Sequence, residues 1–296
     1  MDKYELIKYD TPIQKLEYKV GECNIYMKRD DLIGFGGGGN KVRLYEYIAS
    51  DIIKSTAKKI ITFGSIHSNH IRVSAMVANH LEIGCDLILL HEEGESFDSS
   101  YMTPNLKMIK CCKRINIVHC RADEAHDFIE DYLAKQNDYY WVAGGGHTQH
   151  AIYGYVEVAQ RILHKDVKFD AVFLPCGTGT TMAGMIYGMK AQIPVYGITV
   201  ARSVERCKDV ITDLLNLNGY VPNDMEVNVL PCSIHYGERT VEIDEIIGRL
   251  LCSDGICLDP IYNAKSFLGM TAYIRQHSEL SNILYINTGG QPNIFA

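Results

Sequence analysis

The sequence predicts an α/β protein built on a largely parallel sheet, or two such sheets. Three observations predict it. From Lys59 onward, short apolar runs alternate with stretches whose apolar residues recur at helical spacing. The strand-like runs are continuously apolar rather than alternating, as expected of strands buried on both faces. They end in glycine or polar residues, and ligands of parallel sheets bind at the carboxyl ends of the strands.

In chain order the strand candidates are IITFGS (60–65), CDLILL (85–90), INIVHC (115–120), YYWVAGG (139–145), AVFLPCG (171–177), PVYGITV (194–200) and ILYINTGG (283–290). Each is a short apolar run that closes on a loop former or meets a charged neighbour. Between them NHIRVSAMVANHL and TTMAGMIYGMKAQ space their apolar residues as helices do. Four strand ends stand out: GSIHSNH (64–70), GGGHTQH (144–150), CGTGTT (176–181) and NTGGQPN (287–293). Their hydroxyls, amides and imidazoles predict a convergent polar site lined with backbone donors.

The 296 residues suffice for one large domain or two smaller ones. With 47% apolar and 22% charged residues the composition is globular. A net charge of −7 disfavours nucleic acid as a partner, and the basic run KCCKR (110–114) reads as a solvated helix end. The opening MDKYELIKYDTP has no apolar run, and no later stretch approaches the roughly 18 apolar residues of a membrane span. A cytoplasmic protein without a membrane partner is expected. The ten cysteines form no CxxC pair and no zinc spacing, so no metal is expected and the thiols read as reduced and mostly buried. Cys176 is the exception to watch, because of its neighbours.

GFGGGGNKVR (34–43) poses the question of a phosphate cradle, a hinge or the mount of a reactive lysine. As a P-loop it fails twice: Asn40 occupies the lysine slot and Val42 follows Lys41. The better anion site is AVFLPCGTGTTMAGMIYG, a buried strand, a Gly/Thr turn and a helix starting near Thr180. Its glycines, Gly177, Gly179 and Gly184, miss the dinucleotide spacing. A single phosphate therefore fits better than a dinucleotide. A small cofactor that needs both a phosphate cradle and an accessible lysine is pyridoxal 5'-phosphate (PLP), with Lys41 the candidate lysine.

MKRDDLIGFGGGGNKVR (27–43), ITFGSIHSNHIR (61–72), LPCGTGTTMAG (174–184), DGICLDPIYNAKSFLGM (254–270) and INTGG (286–290) occur here in that order. In this the chain resembles the D-cysteine desulfhydrase and 1-aminocyclopropane-1-carboxylate deaminase family over almost its whole length. That family belongs to the fold-type II, tryptophan-synthase-β-like PLP enzymes. The resemblance implies two open, mostly parallel sheets flanked by helices. It also implies a large PLP-binding domain (1–43 and 152–296), a small mobile domain (44–151) and a homodimer. Lys41 becomes the lysine that binds the cofactor aldehyde and later serves as acid and base at Cα, and Asn69 the partner of the ring oxygen. Asn40 flanks the lysine, and Gly177, Thr178, Gly179, Thr180 and Thr181 hold the phosphate. Thr288 faces the pyridine nitrogen. Ser68 and His70 lie at the substrate carboxylate, and Tyr262 and Tyr236 line the substrate side.

Departures from the family pattern sharpen this. Ring-opening deaminases carry Glu in DPVYEGK and Leu in HLGG, where this chain has Asn263 and Thr288, so ring opening is disfavoured. Desulfhydrases usually carry Ser or Thr at the position of Asn263, which puts D-cysteine in question too. His67 replaces the usual Gln, Leu44 replaces a basic residue, and His147 replaces a small residue. His67 and His147 suggest a substrate with an anionic or strongly hydrogen-bonding side group, with His147 an acid/base or a hydrogen-bonding residue. A neutral Thr288 makes the ring a weaker electron sink, which favours αβ-elimination to a 2-oxo acid and ammonia. A β-replacement synthase, using a second nucleophile, is the nearest alternative; a non-catalytic PLP- or nucleotide-binding regulator is a further one.

Overall fold

The computed structural model describes residues 2–92, 102–223, 226–235 and 237–295. An antiparallel pair opens the chain, β1 (Ile13–Val20) and β2 (Cys23–Arg29), turning at Gly21. There follow α1 (Asn40–Ser55), β3 (Lys59–Ser65), α2 (Asn69–His80), β4 (Gly84–His91), α3 (Pro104–Ile109), β5 (Ile115–Arg121), α4 (Ala125–Ala134) and β6 (Tyr139–Val142). The second half comprises α5 (Tyr153–Leu163), β7 (Ala171–Cys176), α6 (Thr180–Met189), β8 (Val195–Thr199), α7 (Val204–Leu217), β9 (Asn228–Leu230), α8 (Val241–Asp254), α9 (Asn263–Gln276) and β10 (Asn282–Asn287).

Two sheets result, one ordered β1-β2-β10-β7-β8-β9 and one ordered β5-β4-β3-β6. All pairings are parallel except β1 with β2. One core unites them: Ile60, Leu87 and Val142 of the smaller sheet share it with Val172, Leu174 and Ile286 of the larger and with α1, α2, α5 and α6. Alternate residues of the same large-sheet strands, among them Phe173, Ile283 and Tyr285, face a second core under α8 and α9. This two-sided burial explains the continuous apolar runs.

All seven anticipated strands are present, four of them ending early: β7 and β8 by one residue, β6 and β10 by three. β6 stops at Val142 and β10 at Asn287, because Gly145, Gly146, Gly289 and Gly290 take positive φ and turn the chain. The strands β1, β2 and β9 were not anticipated. β1 is an edge strand with only two of its eight residues buried, so it lacks a continuous apolar run. The smaller sheet is drawn wholly from residues 59–142, while the expected boundary after residue 43 falls inside α1. No helix among the described residues is long and apolar enough to cross a membrane.

A buried ionic cluster joins α1 to the start of the chain. Arg43 donates to both carboxylate oxygens of Asp30 at 2.8 Å, and Thr11 and Tyr155 donate to the same oxygens at 2.6 Å. Burial works to raise the Asp30 carboxyl, but Arg43, Lys28 and Thr11 outweigh it and hold it at about 2. Directly beyond Asp30 the chain enters the glycine run.

Candidate active site

The carboxyl ends of β3, β6, β7, β8 and β10 surround one cavity of about 360 Å³, a size typical of small-molecule sites. Most of the anticipated residues line it: Asn40, Lys41, Ser68, Asn69, His70, the Gly177–Thr181 turn, Tyr262 and Thr288. Tyr236 lies outside the described residues.

Lys41 owes its place to the glycine run. Gly39 has φ 99°, and a Cβ there would stand 2.5 Å from the Thr288 carbonyl oxygen, so only glycine lets the two loops touch. The Asn40 N–H then donates to that carbonyl at 3.0 Å and α1 begins. Arg72, fully buried, donates to the carbonyls of Gly36 (2.8 Å) and Gly38 (3.2 Å). The run is thus a clamped loop rather than a hinge. The Lys41 amine donates to the Gly145 carbonyl at 2.8 Å. Gly145 lies at φ 76°, where a Cβ would fall 2.3 Å from Thr178 Cγ2, so this loop too must be glycine.

Burial, with Arg202 nearby, pushes the Lys41 amine down to about 8. Roughly one such amine in ten is neutral at pH 7, against fewer than one in a thousand at the ordinary lysine value. Uptake of PLP by the stripped protein, followed by absorbance and corrected for the cofactor's own titration, is expected to rise with pH and level off above about pH 9. A half-maximal rate near the ordinary lysine value would contradict this placement.

Opposite Lys41, α6 starts at Thr180 with no side chain capping its N-terminus. Its first N–H groups are therefore available to an anion, with the Thr178, Thr180 and Thr181 hydroxyls close by. Asn40 Nδ2 donates to Thr181 Oγ1 at 2.9 Å and fixes that hydroxyl. The start of α2 differs: Ser68 Oγ accepts from the His70 N–H at 3.2 Å, leaving the Ser68 proton free to donate. Asn69 Oδ1 accepts from Arg72 Nη1 at 2.6 Å, which leaves its Nδ2 as the available donor.

The structure qualifies five expectations. The Thr62 hydroxyl donates to the Val142 carbonyl at 2.6 Å, so its oxygen accepts from His70 Nε2 at 2.7 Å. This fixes the tautomer with Nδ1 as a buried, unpartnered acceptor, and burial with the nearby Lys41 charge keeps the ring neutral. The His70 side chain therefore has no proton to offer a carboxylate. Asn263 is fully buried behind Thr288: its Oδ1 accepts from the Thr288 N–H (3.0 Å) and hydroxyl (3.3 Å), and its Nδ2 donates to the Gly289 carbonyl and to Asp259. It is a strut and not a substrate contact. His67 is half-buried and does not line the cavity, and its carbonyl accepts from Asn105 at 2.8 Å and Asn293 at 3.3 Å. His147 sits behind the cradle, its Nδ1 within 3.2 Å of the Thr178 carbonyl and 3.4 Å of Thr180 Oγ1. Burial lowers its pKa, and it braces the turn instead of facing the reacting atoms. Cys176 does line the cavity, but a hydrogen bond with Cys207 and burial push its thiol well above the usual range, which disfavours the thiolate.

Arg202, Glu92, Phe63 and Leu90 also line the cavity and were not anticipated. Arg202 follows β8 and Glu92 follows β4, so the strand-end rule that picked out four other loops would have found both.

The residues present fit a phosphate-bearing aldehyde: an amine of lowered pKa faces an uncapped helix N-terminus across a single cavity. The sequence profile of the family described as "Pyridoxal-phosphate dependent enzyme" matches residues 4–289. A protein of Pyrococcus horikoshii named "Putative 1-aminocyclopropane-1-carboxylate deaminase" is 32% identical, over 99% of this chain and 93% of its own. A D-cysteine desulfhydrase of Yersinia enterocolitica is 30% identical, over 99% of this chain and 95% of its own. The crystal structure of an ACC deaminase homologue superposes with a TM-score of 0.86 at 30% identity, over 99% of this chain and 93% of that one. Cavity, lysine and full-length similarity agree, and the chain belongs to the pyridoxal-phosphate dependent enzymes of fold-type II.

Proposed function

We propose that the protein is a lyase that eliminates a β-substituent from a small amino acid and releases a 2-oxo acid and ammonia. The names of the relatives, a deaminase and a desulfhydrase, support this class of reaction. One observation carries the preference for elimination. Thr288, the residue of the 287–290 turn that lines the cavity, is a neutral hydroxyl hydrogen-bonded to a neutral amide. The Asp259 carboxylate behind it is taken up by Asn263 and by the N–H groups of Ile261 and Tyr262. Among the described residues no carboxylate is offered to a ring nitrogen on that side, and a weaker electron sink favours rapid departure of a β-group.

When bound, PLP supplies an aldehyde that takes up amino groups and a conjugated ring that withdraws electrons from Cα. Gly177 to Thr181 hold its phosphate, while Asn69 Nδ2 and Thr288 hold its ring. The Ser68 hydroxyl binds the substrate carboxylate with the first N–H groups of α2, and Tyr262 closes the substrate side. Lys41 removes the Cα proton, a task suited to an amine poised near neutrality. The unit built on the smaller sheet, within the expected 44–151 segment, closes over the cavity and excludes water. The reading includes a cytoplasmic homodimer, which sedimentation of the purified protein tests for its oligomeric part.

D- and L-amino acids bearing β-leaving groups are the test substrates, with and without added thiol. Equal release of 2-oxo acid and ammonia is expected, whereas a thioether formed in place of 2-oxo acid would mean replacement and sink the reading. D-Cysteine belongs first in the series, since a buried Asn263 no longer speaks against it. 1-Aminocyclopropane-1-carboxylate is expected to be inert.

A further inference from the structure

The turn after β8 opens beside the phosphate cradle. β8 pairs with β7 so that Thr199 lies across from Cys176, and the Val200 N–H donates to the Cys176 carbonyl at 3.3 Å. Two residues later Arg202 lines the cavity together with Gly177 to Thr181. Arg202 is exposed and, among the described residues, makes no hydrogen bond and no ion pair, whereas the other basic side chain of the lining, Lys41, is held by the Gly145 carbonyl.

A bound phosphate ester is a dianion, and N–H groups and hydroxyls give it hydrogen bonds but no full countercharge. The cavity lining contains two cations, Lys41 and Arg202, and the Lys41 amine is committed to the aldehyde. The next turn of α1 brings Leu44 and Tyr45, both fully buried, so no further charge comes from that side. The position of Arg202 also separates the two anions it could meet. Its charge is felt at Cys176, Cys207 and His147, and these lie against the cradle: Cys207 Sγ is 4.0 Å from the Gly177 carbonyl and His147 is 3.2 Å from that of Thr178. His70, at the start of α2 where the substrate carboxylate would bind, is instead tied to Thr62 on β3.

We propose that Arg202 is the counter-ion of the cofactor phosphate, a guanidinium reaching in from the β8–α7 turn to neutralise the charge that the cradle only hydrogen-bonds. The proposal rests on the cofactor and is independent of which reaction the enzyme performs.

Two aldehydes separate this from a structural role, PLP and pyridoxal, which lacks the phosphate. Both are titrated into the full-length protein stripped of cofactor, for the parent, Arg202→Ala and Arg202→Lys. In Arg202→Ala the Kd for PLP is expected to rise about tenfold to a hundredfold, the worth of one charge-assisted contact, and its dependence on salt to weaken. The Kd for pyridoxal is expected to stay within about twofold. Arg202→Lys keeps the charge but loses the fork, and is expected to fall between parent and alanine. Equal losses for both aldehydes would reduce Arg202 to a structural residue, and unchanged PLP affinity with a raised KM for the amino acid would hand it to the substrate; either result overturns the proposal.

Discussion

Lys41→Ala is expected to lower turnover by roughly a thousandfold or more, because both the group that takes up the cofactor aldehyde and the base at Cα disappear together. The same substitution is expected to leave thermal stability unchanged or slightly raised. In the native protein the amine is held in the cavity wall with its charged form disfavoured by burial, with Arg202 as a neighbouring cation and one carbonyl as its partner. Removing it relieves that tension, the usual relation between a reactive group and the stability of its site. The variant should also still bind PLP, since the cradle residues are untouched, but release it on dialysis. Melting curves, cofactor absorbance after dialysis and 2-oxo acid release read the three effects separately. A variant that retained more than about a tenth of the activity would remove Lys41 from the chemistry.

Arg43→Ala carries the second large effect, on stability. The Asp30 carboxylate is fully buried and Arg43 contributes two of its short hydrogen bonds, so truncating the arginine leaves a buried anion short of its countercharge. The expected loss is about 3–5 kcal/mol, or a thermal midpoint lower by roughly 10 °C. The pH dependence has a definite sign. In the parent, Asp30 sits at about 2, below its unfolded value, so its contribution is present above about pH 4 and fades as pH falls through 2. In the variant burial dominates and Asp30 titrates above its unfolded value, so acidification relieves the defect and the gap to the parent narrows as pH falls. Denaturation at pH 7 and pH 5 shows this. A gap that stays constant would mean that lost packing, not the stranded charge, is the cause.

The parallel strands were legible because a strand buried on both faces must be apolar throughout, as in β7, where all six residues are buried. β1 escaped because an edge strand facing solvent has no such run. Among the cavity-lining residues, the 177–181 turn was legible from its strand–turn–helix setting and Lys41 from its combination with that cradle, while Asn69 was reached only through the family resemblance. Asn263 was misread as a substrate contact, and for His70 the side chain's hydrogen-bonding role was not legible, for one reason. Sequence position says which loop a residue occupies, but the direction of its side chain depends on partners distant in sequence: Thr288 in one case, Thr62 in the other. Arg202 stands just after β8, within reach of the strand-end rule, but between Ala201 and Ser203 it carries no motif that sets it apart from a surface arginine.

Arg72 has one more implication. Its guanidinium binds Gly36, Gly38 and Asn69 at once, so the loop that carries Lys41 and the amide proposed to hold the ring share a single anchor. Two grips that depend on the same bolt do not slacken one at a time. On warming or in mild denaturant, cofactor release should therefore be abrupt, with loss of the lysine's registry and of the ring's hold coinciding in one transition well before the sheets themselves come apart.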